Sequence, residues 1–355
     1  MPEQPSALDT LLDAAVLAPS GDNTQPWRFT VDRSAGEIRI YVDPSRDPSP
    51  MNAGQRMARI AIGAALENMV RTAEHHGWGH SIDESPPEGV VGFRLDGAPD
   101  PGSLEPRLRE RVTNRSVYGP EPVPEAVLQR LVESSPLFPD TRVGFITDRE
   151  RLARLVEWIA RADALMLSNR RLRDAFLAKV RFDRDVDAVV EEGLSLGSLG
   201  VGKADQLMLR FLRGCPVPDP VMRLLGGRRT FASVSRRLGG SASGVCLITA
   251  THSGPIADVH VGRAWQDVWL RLTAEQLACQ PMMSLPVFRN IFENGDPDIF
   301  RPADQSAIRR LLEEFERWVG DFIEGTPAAI MRFGRADTPR VRVGRRPPDV
   351  MESVE

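Results

Sequence analysis

Two stretches of the chain carry residue types that can bind a ligand. The first, Arg111-Val-Thr113-Asn-Arg115, places two guanidinium groups on either side of a hydroxyl. Such a set can hold a dianionic phosphate through charge-assisted, partly bidentate hydrogen bonds. The alternative is that these arginines are solvated surface charges, because the chain is rich in arginine and has only two lysines, Lys179 and Lys203.

The second stretch is a polar turn. Ser20, Gly21 and Asn23 follow a helical pattern and precede a strand pattern. Their short side chains and open main-chain groups can donate to and accept from a flat heteroaromatic ring. The alternative is an ordinary polar turn that ends a helix.

The hydrophobic pattern predicts the elements that position these two stretches. Apolar residues recur at helical spacing over 6–18, 57–76, 124–134, 149–167, 262–279 and 304–323. Short runs rich in β-branched and aromatic residues predict strands at 26–31, 37–42, 90–95, 142–148, 243–251 and 328–334. The turn therefore lies between the first helix and the first strand.

Two of these helices are similar to one another. Residues 62–70 (IGAALENMV) and 261–269 (VGRAWQDVW) share a Gly-x-Ala start, and both segments are largely apolar. Small residues at these positions would let two helix backbones approach closely. The similarity is a weak indication of an internal repeat.

The segment from Ala18 to Phe29, APSGDNTQPWRF, resembles the APSxxNxQPWxF signature of the nitroreductase family. That family consists of FMN enzymes of α+β fold. Over most of its length the chain resembles the Acg-type members, in which one long chain looks like two fused protomers. The resemblance implies a nitroreductase-like α+β fold, with two tandem degenerate repeats forming an internal pseudo-dimer of mixed or antiparallel sheets flanked by helices.

The resemblance also implies the cofactor-binding residues. The turn would face the flavin ring, Arg111-x-Thr113-x-Arg115 would hold the phosphate, and the main chain after the 262–279 helix would reach flavin N5. Arg345 would close on the phosphate from the C-terminal region. The implied FMN contacts are Pro19, Ser20, Gly21, Asn23, Gln25, Arg111, Thr113, Arg115, Met283, Ser284 and Arg345.

The two halves implied by the resemblance have lost complementary parts of the site. The first half, 1–103, keeps the turn but has no arginine in its first 18 residues, and the second half, 104–355, keeps the arginines. The counterpart of the turn in the second half, 134–140 (SSPLFPD), lacks the asparagine, glutamine and tryptophan. One intact FMN site and one degenerate site are expected, with 168–240 as a lid-like insertion.

Two functional hypotheses follow. In the first, the protein is an FMN-dependent oxidoreductase that transfers hydride between NAD(P)H and a small conjugated acceptor, with no catalytic side chain because the flavin does the chemistry. In the second, the protein sequesters FMN with little or no turnover, since a covering insertion and a lost second site would both restrict substrate entry.

Composition and spacing argue against other classes. A net charge of −4 argues against a nucleic-acid partner, and the chain contains no apolar run long enough to cross a membrane. Gly197-Ser-Leu-Gly-Val-Gly202-Lys203-Ala204 departs from a phosphate-binding loop at its last position, and no metal site is expected. The acidic N-terminus and three widely spaced cysteines, expected to be buried thiols, favour a cytoplasmic protein. Because the two halves of one chain would already pair with each other, the protein is expected to be a monomer or a homodimer of such chains.

Overall fold

A computed structural model describes residues 6–119, 121–133, 138–215, 217–224 and 226–352. In these residues two β-sheets are flanked by helices, so the α+β class expected from the sequence is confirmed. Residues 134–137, part of the degenerate counterpart of the turn, lie outside the described residues.

The helices lie close to the predicted ranges in most cases, and several more are present. They are α1 (Ala7–Val16), α2 (Arg56–His76), α3 (Pro106–Glu110), α4 (Glu125–Glu133), α5 (Arg149–Ser168), α6 (Arg170–Lys179), α7 (Lys203–Gly214), α8 (Asp219–Leu224), α9 (Gly227–Gly240), α10 (Pro255–Ala274), α11 (Ser284–Asn294) and α12 (Pro302–Gly320).

The strands are β1 (Trp27–Asp32), β2 (Glu37–Val42), β3 (His80–Asp83), β4 (Val91–Leu95), β5 (Thr141–Ile146), β6 (Gly244–Ala250), β7 (Ala278–Pro281), β8 (Thr326–Gly334) and β9 (Val350–Glu352). The first sheet has the order β3-β4-β2-β1-β9, in which only the β1–β9 pair is parallel. The second sheet, β5-β6-β8-β7, is antiparallel throughout. Because β9 joins β1, the end of the chain completes a sheet that begins near residue 27.

Helices α2 and α10 cross at very close range. A Cβ atom at Gly63 would overlap the carbonyl oxygen of Val259, and one at Gly262 would overlap that of Ile60. Only glycine permits this separation, as the Gly-x-Ala sequence shared by the two helices predicts. The two helices are buried along most of their length and link the first sheet to the second.

The predicted helix over 262–279 is wrong at both ends. Helix α10 begins at Pro255, a residue well suited to a first helical turn, and ends at Ala274. Residues 278–281 form strand β7 beside β8 instead. The alternation of buried Cys279 with half-buried neighbours is too short to stand out from the apolar helix that precedes it.

The region 168–240 consists of α6 to α9, with a loop between α6 and α7. Its last helix, α9, packs along α5, where Gly239 lies against Val156. Cys215 in this region is exposed, so the expectation of three buried thiols is wrong for it, while Cys246 and Cys279 are buried. Among the described helices, none is long and apolar enough to cross a membrane.

Candidate functional site

The turn at residues 19–25, here called the signature turn, has an unusual backbone. Asp22, Asn23 and Gln25 all have positive φ angles, of 47°, 57° and 52°. Asn and Asp adopt this region more readily than other non-glycine residues, whereas glutamine does so at some cost. The Ser20 hydroxyl accepts a hydrogen bond of 3.0 Å from the main-chain N–H of Gln25 and so stabilises the turn. Strained backbone of this kind concentrates at functional sites.

The amide side chains of the signature turn bind the loop at residues 191–193. Asn23 Nδ2 donates to the carbonyl oxygens of Glu191 at 3.2 Å and Gly193 at 3.3 Å. Gln25 Nε2 donates to the same Glu191 oxygen at 2.6 Å. Both amides are buried. The turn therefore holds the 168–240 region in place.

The same amides also bind the C-terminal segment. Asn23 Nδ2 lies 3.3 Å from the carbonyl oxygen of Gly344, and Asn23 Oδ1 accepts from Arg345 Nη1 at 2.9 Å. Gln25 Oε1 accepts from the main-chain N–H of Arg346 at 2.9 Å. Asn23 and Gln25 are thus saturated by main-chain and arginine partners, and their contact with a cofactor stays a prediction.

Gly21 is more exposed to solvent than the two residues before it. It is exposed, and a Cβ atom placed on it would meet nothing within 4 Å. Pro19 and Ser20, which precede it, are half-buried. Gly21 therefore leaves open space beside the turn, as a turn that lies against a flat ring must.

Replacing Gln25 with alanine should loosen both segments that the turn holds. The change removes one of the two donors to the Glu191 carbonyl, leaving Asn23 as the other, and removes the acceptor of the Arg346 N–H. A buried polar group left without a partner costs about 1–3 kcal/mol. Hydrogen–deuterium exchange should become faster at 191–194 and 344–346. Ser34→Ala in the exposed β1–β2 turn is the control, and unchanged exchange in Gln25→Ala would contradict the tethering role.

Arg111 occupies an unusual position for a charged side chain. It is 7% exposed, its Nη2 donates to the carbonyl oxygen of Leu17 at 2.9 Å, and its guanidinium lies 4.7 Å from the ring centroid of Trp269. Its Nε has no hydrogen-bond partner among the described residues. Burial, together with the charge of Arg345, lowers the pKa of Arg111 to about 9.

Arg345 meets Arg111 beside the signature turn. Arg345 Nε donates to the carbonyl oxygen of Ala18 at 3.3 Å, next in sequence to the Leu17 oxygen that Arg111 binds. Burial lowers the pKa of Arg345 to about 10. None of the described carboxylates forms an ion pair with either guanidinium. These two residues, the anion clamp, leave a buried positive charge uncompensated, which is costly unless an anion binds there.

Thr113 and Arg115 have other neighbours than the anion clamp. Thr113 forms a parallel bridge with Cys279 of β7, and the Asn114 N–H donates to the Cys279 carbonyl at 2.8 Å. Arg115 Nη1 donates to the carbonyl oxygen of Ser198 at 2.8 Å. The partner of Arg111 is therefore Arg345 rather than the Arg115 that the motif suggests, and the phosphate contacts of Thr113 and Arg115 stay predictions.

Met283 and Ser284 lie just beyond the end of β7. The bridge between Thr113 and Cys279 brings the 111–115 stretch alongside this strand. Ser284 is buried at the start of α11 and lies beside Asp163 of α5. The Ser235 hydroxyl donates to Asp163 Oδ2 at 2.6 Å. Burial raises the pKa of Asp163. Strand β7 thus connects the 111–115 stretch to the segment that contains Met283 and Ser284.

Four charged side chains from four different segments surround one point of the signature turn. Asp22 has Asp47, Arg115 and Lys179 as its charged neighbours. Burial, helped by the charge of Asp47 and opposed by Arg115 and Lys179, raises the pKa of Asp22 to about 6. Burial also raises the pKa of Asp47. No two of these groups form an ion pair in the described part of the chain.

Sequence reasoning missed this cluster. Asp22 occupies a variable position of the signature, and Asp47 lies in a loop without a motif. Lys179 did carry a signal, because it is one of only two lysines in a chain rich in arginine. Its Nζ donates to the carbonyl oxygen of Arg46 at 3.0 Å, which joins α6 to the loop after β2.

Other sites are less suited to a flavin. A cavity of about 510 Å³ is lined by residues of α2, α4 and α10 and by the start of α3, and it shares no residue with the predicted site. Among the described residues, no group of three or more histidine, cysteine, aspartate or glutamate side chains could hold a metal ion.

No protein-family model matches the chain. A curated relative, the uncharacterized protein MT1398 of Mycobacterium tuberculosis (strain CDC 1551 / Oshkosh), is 26% identical over 350 residues. The match covers 97% of this chain and 47% of the relative, so the chain spans about half the length of that protein.

Solved structures similar to this chain include two FMN proteins. One is the FMN-dependent nitroreductase NfnB from Mycobacterium smegmatis in complex with NADPH, with 21% identity, a TM-score of 0.33, and coverage of 68% of this chain and 92% of that one. The other is a nitroreductase with bound FMN from Desulfitobacterium hafniense DCB-2, with 16% identity, a TM-score of 0.34, and coverage of 69% and 94%. At these TM-scores the likeness adds no weight to the functional argument, which depends on the residues.

Proposed function

We propose that this chain is an FMN-binding oxidoreductase of the nitroreductase type, which uses NAD(P)H to reduce a small conjugated acceptor. The observation that carries the proposal is the anion clamp, in which Arg111 and Arg345 are held on consecutive carbonyl oxygens and no carboxylate of the described residues neutralises them. The terminal phosphate of FMN is a dianion that such a pair of guanidiniums fits.

The rest of the predicted site fits the remainder of the cofactor. Gly21 borders open space, so Pro19, Ser20 and Gly21 would lie against the ring, while Met283 and Ser284 would approach it from the segment after β7. When bound, FMN would supply hydride transfer through its N5 atom. The protein's part is to hold the phosphate, orient the ring and limit the access of water.

We also propose that the two halves form an internal pseudo-dimer with one intact cofactor site. The α2–α10 crossing supports this, because each glycine faces the carbonyl oxygen three residues before the other: Gly63 faces Val259 and Gly262 faces Ile60. Such reciprocal contacts are typical of a two-fold interface. The intact site takes the signature turn from the first half and Arg111 from the second.

One observation favours the second candidate, an FMN-sequestering protein. The signature turn is bound on one side by the 191–193 loop and on the other by the C-terminal segment, through saturated amide groups. Two segments tied over a turn that lies against the ring would slow the entry of NAD(P)H and acceptor. Turnover then depends on whether this closure opens.

A visible spectrum followed by anaerobic reduction tests the proposal. The purified protein is mixed with FMN, desalted and examined for flavin absorption, and NADPH or NADH is then added without oxygen. We expect retained flavin that loses its colour within seconds. Retained flavin that keeps its colour would favour sequestration. Failure to retain FMN would overturn both candidates.

A further inference from the structure

The cavity between α2, α4, α10 and the start of α3 is separate from the predicted cofactor site. Its volume is about 510 Å³, and cavities of about 300–1,000 Å³ are typical of small-molecule sites. Leu131, Leu270 and Ala274 form the apolar part of its lining, and the other lining residues are arginines and carboxylates. Such a lining suits a ligand that carries a charged group on an aliphatic body.

The four arginines of the cavity lining are neutralised within the protein, since each forms an ion pair with a carboxylate of the same lining. The pairs are Arg71 with Asp267, Arg271 with Asp267, Arg107 with Glu105, and Arg130 with Glu275. Arg71 also pairs with Glu67 and Glu74, which lie outside the lining. The positive charges of the cavity are therefore already compensated.

The carboxylates of the lining are not all compensated. Glu105 is 6% exposed and binds Arg107 Nη1 through Oε1 at 2.7 Å. Its second oxygen, Oε2, is buried and has no hydrogen-bond partner among the described residues. Glu133 forms no ion pair with any of the described cations. A buried acceptor without a donor is costly and rare in folded proteins, so the cavity lacks a donor rather than an acceptor.

The end of α10 adds negative potential at the same place. Leu270, Arg271 and Ala274 lie at the C-terminal end of α10 and line the cavity, and so does Glu275, the residue that follows the helix. A helix C-terminus carries a partial negative charge, which favours cations within about one turn. The helix end and the uncompensated carboxylates therefore favour the same kind of ligand.

We infer that this cavity binds a small organic cation, an aliphatic primary amine or diamine, through Glu105. The ammonium group, which has three donors and no acceptor, donates to Glu105 Oε2. The methylene chain lies against Leu131 and Leu270. This site is independent of the proposed FMN chemistry, because it shares no residue with the predicted cofactor site.

Isothermal titration of the purified chain with putrescine tests the inference. We expect saturable binding of one putrescine per chain, which weakens as salt is added because charged groups are screened. Two compounds of the same four-carbon length serve as probes of charge, the neutral butane-1,4-diol and the dianion succinate. Neither should bind, since neither brings a positive charge to the uncompensated carboxylates.

Glu105→Gln removes the charge at the centre of the site and keeps the size of the side chain. Its partner Arg107 is exposed and can be solvated by water, so the fold should be retained. We expect the affinity for putrescine to fall about 10- to 100-fold, as for the loss of a hydrogen bond to a charged group. Glu110→Gln makes the same change of charge at an exposed position of α3 and should bind as the wild type does.

A second variant blocks the cavity without touching Glu105. Ala274 lines the cavity but is exposed at the end of α10, so a larger side chain there does not disturb the core. Ala274→Trp should lose putrescine binding while its thermal midpoint stays close to that of the wild type. This variant decides the question even if Glu105→Gln does not fold.

Several outcomes would overturn the inference. Wild-type chain that binds no putrescine would show that water alone meets the needs of Glu105. Putrescine binding that is unchanged in folded Glu105→Gln or in Ala274→Trp would place the amine elsewhere. Binding of succinate in preference to putrescine would show that the arginines hold the ligand. Retention of FMN is measured separately, so failure of the proposed function leaves this test unaffected.

Discussion

Replacing both Arg111 and Arg345 with alanine should abolish the retention of FMN while leaving the fold intact. Each guanidinium would form charge-assisted hydrogen bonds to the phosphate, and a hydrogen bond to a charged group contributes about 1.5–3 kcal/mol. The loss of one such bond from each side chain amounts to a decrease in affinity of about 100- to 10,000-fold. Fluorescence titration of the apoprotein with FMN measures it directly.

The thermal stability of the same double variant is a second test of the anion clamp. Burial lowers the pKa values of Arg111 and Arg345, and the charge of Arg345 also lowers that of Arg111, so each positive charge is disfavoured in the folded apoprotein. Removing the charges offsets the loss of the hydrogen bonds to Leu17 and Ala18 and of the contact with Trp269. We expect the thermal midpoint of the apoprotein to change little.

Arg109→Ala is the matched control for the anion clamp. Arg109 lies two residues before Arg111, is exposed, and should not contribute to the affinity. Full FMN affinity in the double variant would show that the phosphate binds elsewhere. A double variant that unfolds would show that the two guanidiniums have a structural role instead.

The second large effect concerns the crossing of α2 and α10. Gly63→Ala should destabilise the protein by several kcal/mol, because its Cβ would overlap the main-chain oxygen of Val259, which cannot move without separating the helices. Losses above about 4 kcal/mol are rare for single substitutions and would take up much of the stability of a typical domain. Gly262→Ala should behave alike, since its Cβ would overlap the Ile60 oxygen.

Urea unfolding of the purified variants measures this effect. The matched control is Gly320→Ala at the end of α12, where a Cβ atom meets nothing within 4 Å. A glycine-to-alanine change without strain is neutral or mildly stabilising. A Gly63→Ala variant as stable as the wild type would contradict the close crossing of the two helices.

Sequence patterns predicted the helices and strands that have long apolar patterns. They missed the short elements whose structure depends on pairing with distant parts of the chain. The Gly-x-Ala sequence within α2 and α10 correctly indicated close packing, because glycine at a buried helix position has few other uses. Strands β3 and β9 escaped detection, since each is short and depends on pairing with β4 or β1. Helix α11 lies in the 283–294 stretch, for which no helix was predicted.

At the site, the motifs did not reveal which distant segments lie beside the predicted residues. The Arg111 motif suggested Arg115 as the second guanidinium, whereas the charge of Arg345, from a distant part of the chain, is the one that acts on Arg111 in the structure. Local spacing cannot reveal a neighbour more than 200 residues away. The same holds for Asn23, whose partners Gly193 and Gly344 belong to segments without motifs of their own.

The number of FMN molecules bound per chain tests the central claim most directly. The claim is that one site joins the signature turn to the anion clamp, and that its counterpart has lost both parts. Titration of the monodisperse apoprotein with FMN, with the chain concentration measured independently, should reach saturation at one FMN per chain. Saturation at two, or no binding at all, would contradict it.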